Sequence, residues 1–138
     1  MKSKILSLVS LLLVTVLLVA SCSSDDIDFT ALWEGATYSS DTTLGDGALS
    51  ITVSVEAGEK KVILTVKTDS ATLGAALYEE GVIDNASFFT VCNGMKADWD
   101  AHNAYWAFYI GEEYQMIGVN DATLTDGASY RLVYMTSE

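Results

Sequence analysis

From Ala48 onward, apolar and polar residues alternate with a period of two. Leu49, Ile51, Val53 and Val55 alternate with Ser50, Thr52 and Ser54, Glu56-Ala57-Gly58-Glu59-Lys60 supplies a turn, and Val62, Leu64 and Val66 alternate again. Residues two apart share one face of a strand, so this stretch predicts a β-hairpin with one buried face. The period then changes. Leu73, Ala76 and Leu77 fall on one side of a helix, Ser70 or Thr72 can cap its start, and Gly81 stands where a helix end takes up the left-handed conformation. Three more strands are predicted: Phe88 to Cys92, running into an Asn93-Gly94 turn; Ala104 to Ile110; and Tyr130 to Tyr134, after the Asp126-Gly127 turn. Hairpin, helix and further strands predict an α+β domain, with one helix packed across one face of a mixed sheet of about five strands.

The N-terminal pattern is different in kind. Lys2 and Lys4 precede an almost unbroken Leu/Val run from Ile5 to Leu18, and small residues follow directly. The run is too short for a permanent membrane span, so residues 1–21 read as an export signal. Residues 22–47 are rich in Ser, Thr, Asp and Gly and read as a polar tether whose charge favours extension. Within it, Phe29, Leu32 and Trp33 have the i, i+3, i+4 spacing of one helical turn packed on the domain, with a short adhesive segment as the other reading. The domain itself is expected over 48–138.

Charge and cysteine content narrow the function. Without residues 1–21 the chain has five basic against nineteen acidic side chains, a formal charge of −14. Such a surface excludes nucleic acid as a partner and docking of the domain itself on anionic lipid. The apolar content is that of a folded globule rather than a disordered acidic chain. The cysteines are Cys22 and Cys92. Cys92 lies in an apolar strand-like run and reads as a small core residue rather than a nucleophile or metal ligand.

Candidate chemistry concentrates between Asp98 and Tyr114. On a strand over Ala104 to Ile110, Trp106, Phe108 and Ile110 face the core, while Tyr105, Ala107 and Tyr109 face outward. Tyr105 and Tyr109, with Trp99 on the preceding loop and Tyr114 beyond the turn, are then rings with polar tips that could stack on a planar ligand or meet a protein. Cross-strand pairing that only stabilises the sheet is the competing reading. His102 is the only histidine. It could offer an imidazole to a metal centre, although a lone loop histidine is ordinarily a solvated side chain. Asp98-x-Asp100 with Asn103 misses the calcium-loop spacing, and position 109 is a tyrosine where the bidentate Glu belongs. Asn85-Ala86-Ser87 fits a glycosylation sequon, a short pattern that also arises by chance. Catalysis has no support: there is no Gly-x-Ser-x-Gly elbow, phosphate loop or Cys-x-x-Cys, so no enzyme is expected.

Two resemblances add to this. Val19-Ala20-Ser21-Cys22 resembles the lipobox of bacterial lipoproteins, in which the cysteine takes a diacylglycerol and becomes the first residue after cleavage. That resemblance implies lipidation at Cys22 and a chain held by its lipid on the extracytoplasmic face of the cell membrane, since two acyl chains suffice for stable anchoring. An ordinary cleaved signal would instead release the product. The second resemblance runs over roughly residues 48–136: Thr72-Leu73-Gly74-Ala75-Ala76-Leu77, Val91-Cys92-Asn93-Gly94-Met95-Lys96-Ala97, Ala104-Tyr105-Trp106-Ala107-Phe108-Tyr109, Ile117-Gly118-Val119 and Thr125-Asp126-Gly127-Ala128-Ser129-Tyr130. In order and spacing these are similar to the bacterial lipoprotein domain family that resembles the C-terminal domain of transcobalamin. The likeness implies a β-grasp fold and a non-catalytic domain that captures a soluble ligand of cobalamin-like kind and passes it to a transporter. Ile110-Gly111-Glu112-Glu113 and Asp126-Gly127-Ala128 depart from the family's turns. The candidate ligand-binding residues are Trp99, Tyr105, Tyr109, Tyr114 and His102, with no resident cofactor or metal. The second functional reading is a protein or glycan interaction module used in adhesion or surface assembly.

Overall fold

The alternation beginning at Leu49 forms the expected hairpin in the computed structural model, which describes residues 27–137. Strand β2 (Leu49–Ala57) pairs antiparallel with β3 (Lys60–Thr68), Ala57 opposite Lys60, through a two-residue turn with Gly58 at φ 64°. An edge strand β1 (Thr42–Gly45) precedes them and lies parallel to β3. After the hairpin comes helix α2 (Leu73–Glu79), which follows a first helix, α1 (Phe29–Glu34). A separate two-stranded ribbon, β4 (Val91–Cys92) and β5 (Met95–Lys96), leads to the one-turn helix α3 (Trp99–His102). Strands β6 (Ala104–Ile110), β7 (Glu113–Tyr114) and β8 (Ser129–Thr136) complete the chain.

The six-stranded mixed sheet has the order β1-β3-β2-β8-β6-β7. Its centre is a parallel pair, with Val53 of β2 opposite Tyr130 and Val55 opposite Leu132 of β8. β8 in turn pairs antiparallel with β6, Trp106 opposite Tyr134 and Phe108 opposite Leu132. One face of these strands is fully buried: Val53, Val55, Leu64, Val66 and Leu132 have no exposed surface. Leu73, Ala76 and Leu77 of α2 join the same apolar cluster. Each large aliphatic side chain so buried contributes about 1.5–3 kcal/mol. α2 starts where expected, the Thr72 hydroxyl accepting the Ala75 amide at 3.3 Å, and is followed by Gly81 at φ 74°.

Four expectations need correction. The sheet has six strands rather than five: β1, from a segment whose polar composition read as tether, and the two-residue β7 both join it, while the strand expected over Phe88 to Cys92 stays outside. Residues 29–45 belong to the folded body. Phe29, Leu32 and Trp33 do form the packed helical turn: Asp28 caps it, the Trp33 indole N–H donates to the Ala57 carbonyl at 2.9 Å, and the Phe29 ring lies against Gly58. The strand expected over Phe88 to Cys92 is reduced to Val91–Cys92, which pairs with β5 outside the main sheet. Its start is pulled into a loop because Asp84 and Asn85 take the backbone N–H groups that a strand would use. Ile110, expected in the core with Trp106 and Phe108, lies at the exposed end of β6 where the chain turns at Gly111. Cys22 and the signal segment lie outside the described residues.

Candidate functional site

Five consecutive residues of β6, Ala104 to Phe108, border one cavity of about 870 Å³. Successive side chains of a strand point to opposite faces, so five in a row can line one space only if it lies against the strand's edge. The pairing explains why that edge is open. β7 covers β6 only at Tyr109 and Ile110, opposite Tyr114 and Glu113.

Loops on either side make the walls. On one side Asn85 Oδ1 accepts the amides of Ser87 (2.9 Å) and Phe88 (3.2 Å), while Asp84 Oδ1 accepts those of Thr90 and Val91, both at 3.0 Å. The loop is thus fixed at both ends and presents Phe88 almost fully to solvent, 85% exposed. Burial alone would raise the Asp84 carboxyl, but the N–H donors of Val91 and Thr90 outweigh it and hold its pKa below the ordinary aspartate value. On the other side Met116 (90% exposed) and Ile117 project from a segment tied down by Gln115, whose amide donates to the Phe108 carbonyl at 2.9 Å. Buried Val119, in a 3₁₀ turn over Val119–Asp121, anchors its far end.

Trp99 and Tyr114 stand at the ends of the cleft. Asp98 caps α3 by accepting the Ala101 amide at 3.0 Å, and this sets Trp99 on the first helical position, half exposed, with its ring 6.4 Å from that of Tyr105. The Asp98-x-Asp100 pattern is therefore a helix cap. Asn103 ends the turn at φ 52°.

The structure gathers three of the expected ligand residues, Trp99, Tyr105 and Tyr114, at this cleft. Tyr109 does not line it. Its ring lies on the outer face under the Arg131 guanidinium, 4.8 Å from the centroid, and meets Tyr114 edge to face at 5.5 Å. Arg131 pairs with Glu56 through Nε at 2.7 Å and Nη2 at 3.0 Å, and reaches Glu112 at 3.3 Å. The Arg131 hydrogen bond holds the Glu56 carboxyl below its ordinary pKa. His102 is exposed at the end of α3 and does not border the cleft. Sequence reasoning missed Phe88, Met116 and Ile117. The first read as the start of a strand, and the other two lie in a segment without alternation.

The cleft is lined by aromatic, aliphatic, amide and hydroxyl groups, with no carboxylate, imidazole, ammonium or guanidinium among its residues. It can stack on a planar surface and hydrogen-bond to amides, and it offers no charge. Trp106 adds a buried indole N–H without an acceptor. The Cys92 thiol is fully buried, and burial pushes its pKa up. Among the described residues, no three His, Cys, Asp or Glu side chains come together as a metal group would require.

These features describe a small α+β domain with an open, uncharged cleft beside β6. No family model matches the chain, and no curated protein matches it. Among solved structures, the chain is similar to a protein from Ruminococcus gnavus ATCC 29149 described as a "putative metal binding protein". The two are 25% identical, with a TM-score of 0.61 over 66% of this chain and 100% of that one. It also shares its fold with haptocorrin in complex with Cbi, at 13% identity and a TM-score of 0.52 over 69% of this chain. The match spans 27% of the length of haptocorrin.

Proposed function

We propose that this chain is a membrane-anchored extracytoplasmic lipoprotein whose domain captures a flat, soluble, cobalamin-like ligand without chemical change and passes it to a transporter. The observation that carries the reading is the uncharged aromatic cleft beside β6, with Trp99, Tyr105 and Tyr114 on its margin. Its size lies in the range of small-molecule sites. The fold likeness to haptocorrin is consistent with a corrinoid ligand. A hairpin, a helix across one face and a central parallel pair between the first and last long strands support the β-grasp reading and kinship with the transcobalamin C-terminal domain.

A cleft formed by one domain covers part of a corrinoid, so the affinity is micromolar rather than nanomolar unless a second protein closes the site. His102, away from the lining, contributes little. Lipid on Cys22 holds the protein at the membrane, and Cys22→Ala releases it to the aqueous phase in detergent partitioning.

Calorimetric titration of the mature chain with cobalamin and with cobinamide tests the ligand. Binding in the micromolar range, weakened about tenfold or more by Trp99→Ala or Tyr105→Ala, is expected. Absence of heat with both corrinoids at high micromolar concentration overturns the corrinoid reading.

A further inference from the structure

The floor of the cleft is main chain with unused hydrogen-bonding groups. In an antiparallel ladder, alternate residues direct both their N–H and C=O to one neighbour, and the residues between direct theirs to the other side. On β6 this phase is fixed at both ends. The Ser137 amide donates to the Asn103 carbonyl at 2.8 Å, and the Gly111 amide donates to the Ser129 carbonyl at 2.9 Å. Asn103, Tyr105, Ala107, Tyr109 and Gly111 therefore turn toward β8. The Gln115 amide meets the Phe108 carbonyl from the opposite side, so Ala104, Trp106 and Phe108 turn toward the open edge.

Part of that edge is used: the Ala104 amide donates to the Asp98 carbonyl at 3.3 Å, and the Phe108 carbonyl takes Gln115. The Ala104 carbonyl, both main-chain groups of Trp106 and the Phe108 amide have no main-chain partner among the described residues. They repeat every second residue, the spacing of a strand awaiting a neighbour. A planar ligand can engage one or two such groups, whereas another extended backbone engages all of them.

We infer that β6 accepts an extended segment of a partner protein as an added strand, with apolar side chains in the cleft and basic residues on its flanks. The segment buries the exposed side chains of Phe88, Met116 and Ile117, which otherwise stand in water on either side of the edge. Its flanking charge follows from the acidic residues at the ends of the cleft: Asp98 and Asp100 beside Trp99, and Glu113 beside Tyr114. The same charge disfavours a second copy of this strongly acidic chain as the added strand. The inference concerns the strand edge and stands apart from the corrinoid reading, whose titration can fail without touching it.

The test uses the whole protein in detergent, immobilised through its C-terminus, and a displayed library of random linear dodecapeptides. Enriched peptides are expected to alternate large apolar residues and to carry Lys or Arg at the flanks. A synthetic peptide of the enriched sequence should slow hydrogen exchange at the Trp106 and Phe108 amides. N-methylation of its backbone should abolish binding at every second residue and be tolerated at those between. Phe88→Asp should weaken binding about tenfold or more. No enrichment over a blank surface, binding that leaves those two amides unprotected, or N-methyl effects without a two-residue period would each overturn the inference.

Discussion

Asn93 holds Tyr38 by both of its main-chain groups: Asn93 Oδ1 accepts the Tyr38 amide and Nδ2 donates to the Tyr38 carbonyl, each at 2.9 Å. Asn93 is fully buried, at φ 54°, and its own carbonyl accepts the Thr37 amide. One side chain thereby fixes the segment between α1 and β1. Asn93→Ala leaves two partly buried main-chain groups unpaired and is expected to cost about 1–3 kcal/mol. Urea denaturation gives the loss, and a red shift of the Trp33 emission shows that the segment has come away.

Tyr109 and Trp99 separate support from binding. The Tyr109 ring is enclosed by Arg131 and Tyr114, so Tyr109→Ala should lower stability by about 1–2 kcal/mol and leave corrinoid binding nearly unchanged. Trp99 touches Tyr105 at the open cleft, and Trp99→Ala should weaken binding while stability falls by less than about 1 kcal/mol. Thermal melts and titrations on both variants read the contrast.

Acid should weaken the fold through Glu56 and Asp84. Both carboxyls are held below their ordinary pKa in the fold, Glu56 first by the Arg131 hydrogen bond and Asp84 by main-chain N–H donors that outweigh its burial. As pH falls, the unfolded chain therefore binds protons before the folded one does, and stability declines. The loss begins near the ordinary glutamate value of 4.5 and continues through the lower folded values. Glu56→Gln should cost about 1 kcal/mol at neutral pH, since the pair is partly exposed, and should make the acid limb shallower in chemical denaturation from pH 7 to 3.

Cys92 reports on global opening. With no exposed surface and a thiol pKa raised by burial, it should resist iodoacetamide at pH 8 in a chain lacking Cys22. Labelling followed by mass spectrometry should track the unfolding transition. Rapid labelling under native conditions would mean that the β4–β5 ribbon opens on its own.

The elements legible in the sequence were those whose signal is local. Val53 and Val55 alternate with serines, Thr72 and Gly81 bracket a short amphipathic stretch, and Ala104–Ile110 reads as a strand from its own residues. β1 was illegible because its partner is β3, reached across the whole of β2, and Leu44 is its single large apolar residue. Phe88 misled for a different reason: an apolar run reads as a strand unless neighbouring Asp84 and Asn85 are seen to take its backbone donors. At the site, the aromatic composition was visible and its partition was not. Tyr105 and Tyr109 share a strand face, yet Arg131, from a strand far along the chain, covers one and leaves the other at the cleft. The open edge could not be read at all, since it depends on how few residues β7 contributes.

The packing of α1 against the Gly58 turn also sets a leash length. With Phe29 and Trp33 seated on the sheet, six peptide links separate Cys22 from the capping residue Asp28, a reach of about 20 Å at most, instead of about 90 Å for a tether running to residue 48. Under the proposed lipid anchor on Cys22, so short a reach would hold the globule against the headgroups. With that anchor, only partners at nearly the height of the bilayer surface would reach its cleft, which would favour delivery sideways to a membrane-embedded neighbour over capture by anything standing far above.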